Sequence, residues 1–348
     1  MHRISYLIRR VFLMIPTFIG ITVVCFSLTR FLPGGPVEMR LMKMKGLGSA
    51  QGAQVKSHAA LKVSDEYRRQ LEEQFGFNKP IHVQYWDWLY VNRMGLKLPS
   101  YDYPNKTAFD LTKERIPISI WFGAFSFILT YLICIPLGIA KAVRHRKLFD
   151  MASSFVIFTA YSIPSFALAM MLKTLFCGTV EGLFDVIPLG GIESEFDIEP
   201  GAVKRLLDRA WHMVLPVACY VAGSFAMLTL MMKNSLLDQI SSDYVRTVIA
   251  KGATRRRAIW CHALRNALIP VATGFGSIIS FLFAGSIVIE TIFEIPGMGR
   301  LSWDALIGRD YAVFLALLAL TSSFQLVGNL ISDVTYMLID PRIDFSKK

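Results

Sequence analysis

The side chains best suited to chemistry are scattered along this chain. The six histidines (His2, His58, His82, His145, His212 and His262) do not pair at metal-ligand spacing. The five cysteines (Cys25, Cys134, Cys177, Cys219 and Cys261) form no CxxC, and three of them lie inside apolar runs. Neither a zinc site nor a disulfide is therefore predicted. There is no GxxxxGK[ST] loop to cradle a triphosphate, no HExxH and no GxSxG. The chain is expected to hold no metal, to hydrolyse no ATP and to catalyse no reaction. An enzyme inside a membrane would need a nucleophile beside a base, and no such pair stands out.

The residues that do carry a pattern suit contact rather than catalysis. Ser242 is placed to cap a short helix in which Tyr244, Val245, Val248 and Ile249 form one apolar stripe, and Gly252 is placed to stop it. A new helix is predicted from Thr254 through Arg255, Arg256 and Arg257 to Asn266 and on into an apolar run. Such a stripe can dock into a groove of another protein. It can equally pack on its own bundle, with the arginines only setting topology. A second pattern is polar: Thr321, Gln325, Asn329 and Asp333 recur every four residues and share a helical face. A third is a face of small residues that includes Thr273, Ser277, Ser280, Ala284 and Thr291, which favours close helix contact.

The elements that position these residues follow from composition. Of 348 residues, 53% are hydrophobic and only 18% charged. The apolar residues lie in long uncharged runs, and about 20 such residues in a helix cross a bilayer. The fold class predicted is an all-α polytopic membrane protein with six spans, at residues 11–29, 116–140, 151–172, 213–232, 267–289 and 311–332, the last continuing to 338. Residues 1–32 form the amino terminus and first span, 33–115 a large extracytoplasmic insert, and 116–348 the core, with a basic loop at 233–265. The first run is too long for a signal peptide and ends in Arg30-Phe31-Leu32-Pro33-Gly34-Gly35-Pro36, so it is read as an uncleaved span. Lys and Arg outnumber Asp and Glu by 37 to 26, giving +11. This excess is assigned to topology and not to nucleic acid. The cationic segments at 1–10, 141–147, 233–265 and the tail fall on one side, which places both termini in the cytoplasm.

Within the insert, one helix is predicted from Ser64 with Tyr67, Leu71 and Phe75 on one face. A second follows Pro80 with Val83, Trp86, Leu89 and Tyr90 together. Pro16, Pro136, Pro164, Pro216 and Pro270 are read as structural kinks. Lys173 and Glu290 are expected to snorkel at the outer boundary.

The stretch Asp243-Tyr244-Val245-Arg246-Thr247-Val248-Ile249-Ala250-Lys251-Gly252, followed by His262-Ala263-Leu264-Arg265-Asn266-Ala267-Leu268-Ile269-Pro270, closely resembles the ATPase-coupling loop of peptide-type ABC-transporter permeases. The departures are Val248, where that family usually has Ala, and Ile249, where it usually has Arg. Tyr6-Leu7-Ile8-Arg9-Arg10, Phe75-Gly76-Phe77-Asn78-Lys79-Pro80, Pro296-Gly297-Met298-Gly299 and Asp340-Pro341-Arg342-Ile343-Asp344-Phe345 extend the likeness over the whole chain. The Gly34-Gly35-Pro36 turn, the long insert and the carboxyl terminus are most similar to the Yej-type B-subunit branch, associated with oligopeptide and microcin C uptake.

The resemblance implies a type I ABC importer permease fold in a bacterial inner membrane, embedded in lipid. A second homologous permease would complete the pore, two ATPase domains would bind ATP and magnesium below it, and a periplasmic binding protein would deliver peptide. The chain itself would bind no cofactor. Asp243, Tyr244, Val245, Arg246, Thr247, Val248, Ala250, Lys251 and Gly252 would form the coupling helix. Thr321, Gln325, Asn329 and Asp333, with Ser277 and Ser280, would line the pore or a seam with the partner permease. Alternatively they supply interhelical hydrogen bonds worth about 0.6 kcal/mol each. Segments 76–103 and 179–200 would meet the binding protein. A stand-alone secondary transporter or channel is the alternative. It would require an intramembrane carboxylate pair or inverted repeats, and Asp333 has no obvious partner.

Overall fold

The structure is a computed structural model and describes residues 2–31, 78–103, 105–178, 184–194, 201–274 and 278–339. The helix predicted at 64–76, Ser277 and the side chain of Ser280 lie outside the described residues. So do the side chains of Thr273 and Ala284 and half of segment 179–200, namely 179–183 and 195–200.

The described elements are helical. In chain order they are α1 (His2–Phe31), α2 (Ile81–Trp86, continued as a π-helical turn Asp87–Val91), α3 (Ala108–Val143), α4 (Leu148–Ser162), α5 (Ser165–Phe176) and α6 (Ala202–Ser241). Then come α7 (Asp243–Ala250), α8 (Arg255–Arg257), a π-helical turn Ala258–Ala263 and α9 (Leu264–Ala267). The last are α10 (Ile269–Thr273), α11 (Ile278–Ala284), α12 (Ile287–Ile292), α13 (Met298–Ile307) and α14 (Tyr311–Ile339).

Four helices are long and apolar enough to cross a bilayer: Tyr6–Arg30, Ala108–Val143, Ala202–Ser241 and Tyr311–Thr335. They match the predicted first, second, fourth and sixth spans. The predicted third span is not one helix. It breaks at Ile163-Pro164, and α4 and α5 meet at 95°. A proline drives the preceding residue out of helical conformation, and Ile163 is extended at φ −84°, ψ 121°. Within the predicted fifth span the described residues form short helices, α10 to α12. Gly285 interrupts it in left-handed backbone at φ +64°. Among the described residues four helices qualify as spans by length and apolarity, or five with the bent pair counted as one.

The chain divides into two compact units. The smaller comprises residues 14–114 and 301–323. Its core gathers Phe26, Tyr85, Trp88, Leu315 and Ala319. The buried face of α2 is thus Tyr85 and Trp88, whereas Trp86 and Tyr90 of the predicted face are exposed. Tyr85 shares a 2.9 Å hydrogen bond with Thr22. Asp310 precedes α14 and is buried. It accepts from Ser100 Oγ at 2.5 Å, from the Tyr101 amide at 2.8 Å and from the Val313 amide at 3.2 Å. Burial raises its carboxyl above the ordinary range, and these donors oppose that shift.

The larger unit comprises residues 1–13, 115–300 and 324–348. One of its cores holds Cys134, Met232, Leu236, Val245, Ile259 and Val271 among others. There α3 and α6 approach closely at Gly138: a Cβ on Gly138 would stand 2.7 Å from Met232 Cβ and 2.8 Å from the Thr229 carbonyl oxygen. Backbone on one side leaves little room to yield. Gly138→Val is expected to destabilise the protein by about 1–3 kcal/mol through overpacking, visible as a lower unfolding temperature in detergent.

Glu290 does not snorkel. It is 1% exposed and accepts from the amides of Ser286 at 3.1 Å and Arg300 at 2.8 Å. Gly297 stands so near that a Cβ there would lie 2.5 Å from its Oε2. An apolar boundary would have left the side chain free to reach water, but a ring of backbone donors captures it instead. Glu290→Gln turns a donor toward one of those amides. It is expected to cost about 1–3 kcal/mol in a thermal unfolding measurement. Lys173 also points inward, donating to the Ile292 carbonyl at 2.6 Å.

Candidate functional site

The short helix α7 is set apart by chain chemistry at both ends. Ser242 takes the extended cap position at φ −72°, ψ 151°. Its hydroxyl does not cap, however, and donates to the Gln239 carbonyl at 2.5 Å. Asp243 stands in the first turn, where a negative charge suits the helix start. At the other end Gly252 adopts φ +94° with its amide donating to the Ile249 carbonyl at 2.9 Å. Two residues on, the Thr254 hydroxyl caps α8 by accepting from the Arg257 amide at 3.3 Å.

The apolar stripe predicted on α7 divides in two. Val245 is 1% exposed and packs in the core with Ala258, Ile259 and Ala263, and Val248 leans on the same core. These two belong to the bundle's own packing. Ile249 is 42% exposed, and Arg246, Ala250, Lys251 and Gly252 are exposed beside it. Arg255, Arg256, Arg257 and Trp260 are exposed in the following segment. The outcome is a cationic surface with two apolar side chains, carried on a buried base. The Arg246–Asp243 contact at 3.5 Å is solvent-exposed and contributes little.

Tyr244 is the joint of this segment. Its hydroxyl donates to Gln239 Oε1 on α6 at 2.8 Å and accepts from Asn266 Nδ2 on α9 at 3.1 Å. The aromatic residue thus ties α7 to the helices before and after it. The sequence pattern places Tyr244 on the stripe, but nothing in it pairs the hydroxyl with Gln239 or Asn266.

A further cluster was missed altogether. Lys141 at the end of α3 is 0% exposed. Its ammonium donates to the Asp150 carbonyl at 2.9 Å and to the hydroxyls of Ser153 and Ser154 at 2.8 Å each, and lies 3.2 Å from Asp150 Oδ1. Lys233 on α6 donates to both Asp150 carboxylate oxygens at 2.7 and 2.9 Å. One buried carboxylate therefore joins two ammoniums from two long helices to the start of α4. The bias of cationic residues explained these lysines as topology signals, and nothing in their spacing pairs them with Asp150.

The polar stripe of α14 does not act as a unit. Thr321 donates to the Leu317 carbonyl of its own helix at 2.9 Å. Asp333 pairs with Arg10 of α1 at 2.7 Å, so it does have a partner. Gln325 Nε2 donates to Asn329 Oδ1 at 3.0 Å, and both side chains are exposed. Among the described residues no group of three metal-ligating side chains occurs.

Residues 134–345, more than half of the chain, match the family described as binding-protein-dependent transport system inner membrane component. The inner membrane ABC transporter permease protein YejB of Escherichia coli O157:H7 is 37% identical, covering 98% of this chain and 99% of that protein. The peptidoglycan transport system permease protein YejB of Agrobacterium fabrum is 35% identical over 99% of both. The dipeptide transport system permease protein DppB of Escherichia coli K12 is 32% identical over 99% of this chain and 100% of its own length.

Proposed function

We propose that this chain, which belongs to the family of binding-protein-dependent transport system inner membrane components, imports oligopeptides as one of two homologous permeases driven by a separate ATPase. Members of this family are non-catalytic permease subunits of ABC importers, multi-pass in the inner membrane. The dipeptide permease among its relatives supports peptides as cargo; oligopeptides, with conjugates of the microcin C kind, are the finer part of this proposal. Two ATPase domains would bind on the cytoplasmic side, with both termini, and a periplasmic binding protein would deliver cargo from the other.

The observation that carries this reading is the divided stripe of α7. A helix that merely packed would hide Ile249, and a helix meant only for contact would not bury Val245. With its base fixed and its outer face open, α7 can receive a push and pass it on as a rigid element. The Tyr244 hydroxyl would hand the motion to α6 and α9, and the Lys141–Asp150–Lys233 cluster would hand it from α6 to α3 and α4. Asp243, Arg246, Thr247, Ala250, Lys251 and Gly252 complete the coupling surface, with Val245 and Val248 positioning it. Gln325 and Asn329 are the pore candidates. Thr321 bonds within its own helix and Asp333 pairs α14 with α1, while Ser277 and Ser280 remain candidates for the pore or seam.

The test is ATP hydrolysis by the purified complex. Binding protein loaded with peptide is expected to stimulate it severalfold. Tyr244→Asp is expected to abolish that stimulation while the complex still co-purifies, and Tyr244→Phe, which keeps the ring, to retain part of it. Full stimulation and full uptake in Tyr244→Asp would refute the coupling role.

A further inference from the structure

The larger unit contains a cavity of about 410 Å³ between α3, α6, the end of α10 and α14. That volume lies within the range of small-ligand sites. Its walls differ in character. On α3, Phe127 and Tyr131 stack at 4.4 Å between centroids, and the Tyr131 hydroxyl donates to the Val271 carbonyl at 3.4 Å. This wall is stiff. On α6, Met227 and Met231 stand one turn apart, and Met227 is 76% exposed. Unbranched thioethers repack around varied shapes, so this wall is pliable. Asn329 lines the cavity from α14.

The Gln325–Asn329 bond adds the chemistry. It uses the amino group of Gln325 and the carbonyl of Asn329. The Gln325 carbonyl and the Asn329 amino group remain, one acceptor and one donor, on an exposed face of a membrane helix. Turning both amides over leaves one of each again. A peptide group presents one donor and one acceptor in the same way. An exposed amide pair at membrane depth demands a polar occupant or water.

Building on the proposed import of peptides, we propose that this is a contact station for cargo in transit. Gln325 and Asn329 hydrogen-bond one backbone amide of the peptide, and the adjoining cavity receives an apolar side chain between the aromatic and thioether walls. The amide contact is blind to sequence, and the thioether wall adapts to side chains of different size. The station therefore suits a carrier of many peptides.

The test uses the complete complex in proteoliposomes, with binding protein and an equimolar pool of tritiated tri- to pentapeptides as the probe. The photoreactive residue p-benzoylphenylalanine is placed at Met227 and, as a control, at the exposed Ile128 on α3. Irradiation during ATP turnover is expected to capture labelled peptide at 227 at least tenfold above 128. Gln325→Ala and Asn329→Ala are each expected to lower capture at least threefold. Met227→Trp is expected to shift uptake against Phe-containing peptides relative to Ala-only peptides by at least fivefold. If 227 captures the second permease or nothing while the pool is imported, this station is wrong and the importer reading stands. If the complex imports none of the pool, both fall.

Discussion

Gly252→Val is expected to cut peptide uptake at least tenfold while the protein still inserts and assembles. Gly252 holds φ +94°, and a Cβ there would meet nothing within 4 Å. The loss would therefore arise from backbone and not from crowding. A β-branched residue is strongly disfavoured in left-handed backbone, at a cost of about 1–2 kcal/mol even for an ordinary side chain. A tenfold change corresponds to about 1.4 kcal/mol. To relieve the strain, residues 251–254 must rearrange, and α7 shifts against α8 with them. Gly252→Asn is the matched comparison, because asparagine tolerates this conformation better than other residues with a Cβ. It is expected to keep uptake within about threefold of the parent. Uptake of labelled peptide, normalised to the amount of complex extracted from the membrane, reads the difference. Equal uptake in all three proteins would show that the shape of the α7 exit is immaterial.

Asp150→Ala is expected to be the most destabilising single change, at about 3–5 kcal/mol. It leaves the Lys141 ammonium, which is fully buried, and that of Lys233 facing one another without their carboxylate. Like charges in a region of low dielectric repel strongly, and neither stem has an easy path to water. Lys233→Met removes one cation and leaves a one-to-one pair with Lys141. Its cost is expected to be about half as large or less. Thermal unfolding in detergent compares the two. A change below about 1 kcal/mol for Asp150→Ala would show that the cluster contributes no more than a surface pair.

Much of this architecture could be read from residue order alone. The long uncharged runs gave α1, α3, α6 and α14, because hydrocarbon demands length and apolarity and little else. Gly252 and Thr254 marked the end of α7 and the start of α8, since caps and stops act within a few residues, and Ser242 marked the start of α7 by position though its hydroxyl does not cap it. What escaped was decided by neighbours distant in sequence. Pro136 and Pro216 lie within continuous helices, yet Pro164 divides α4 from α5, and the proline itself is the same in all three. Gln84, Tyr85 and Trp88 share a face at ordinary helical spacing, and only partners distant in sequence, Phe26, Leu315 and Ala319, decide that this face is buried and not that of Trp86 and Tyr90. Glu290 looked like a boundary carboxylate because its donors are backbone amides, to which residue type offers no guide. Asp333 seemed unpaired because Arg10 lies at the opposite end of the chain. In the candidate site, the helix and its stop were visible. The Tyr244 bonds and the Lys141–Asp150–Lys233 cluster were not, because each joins segments that only folding brings together.

Peptide uptake into proteoliposomes decides whether this polypeptide is a gate worked from outside or a transporter in its own right. Liposomes holding the chain alone are compared, with and without an imposed proton or sodium gradient, with liposomes holding the chain, its sister permease, the ATPases and the binding protein. The expected result is accumulation only in the complete set and only with ATP. Accumulation by the lone chain on an ion gradient would contradict it.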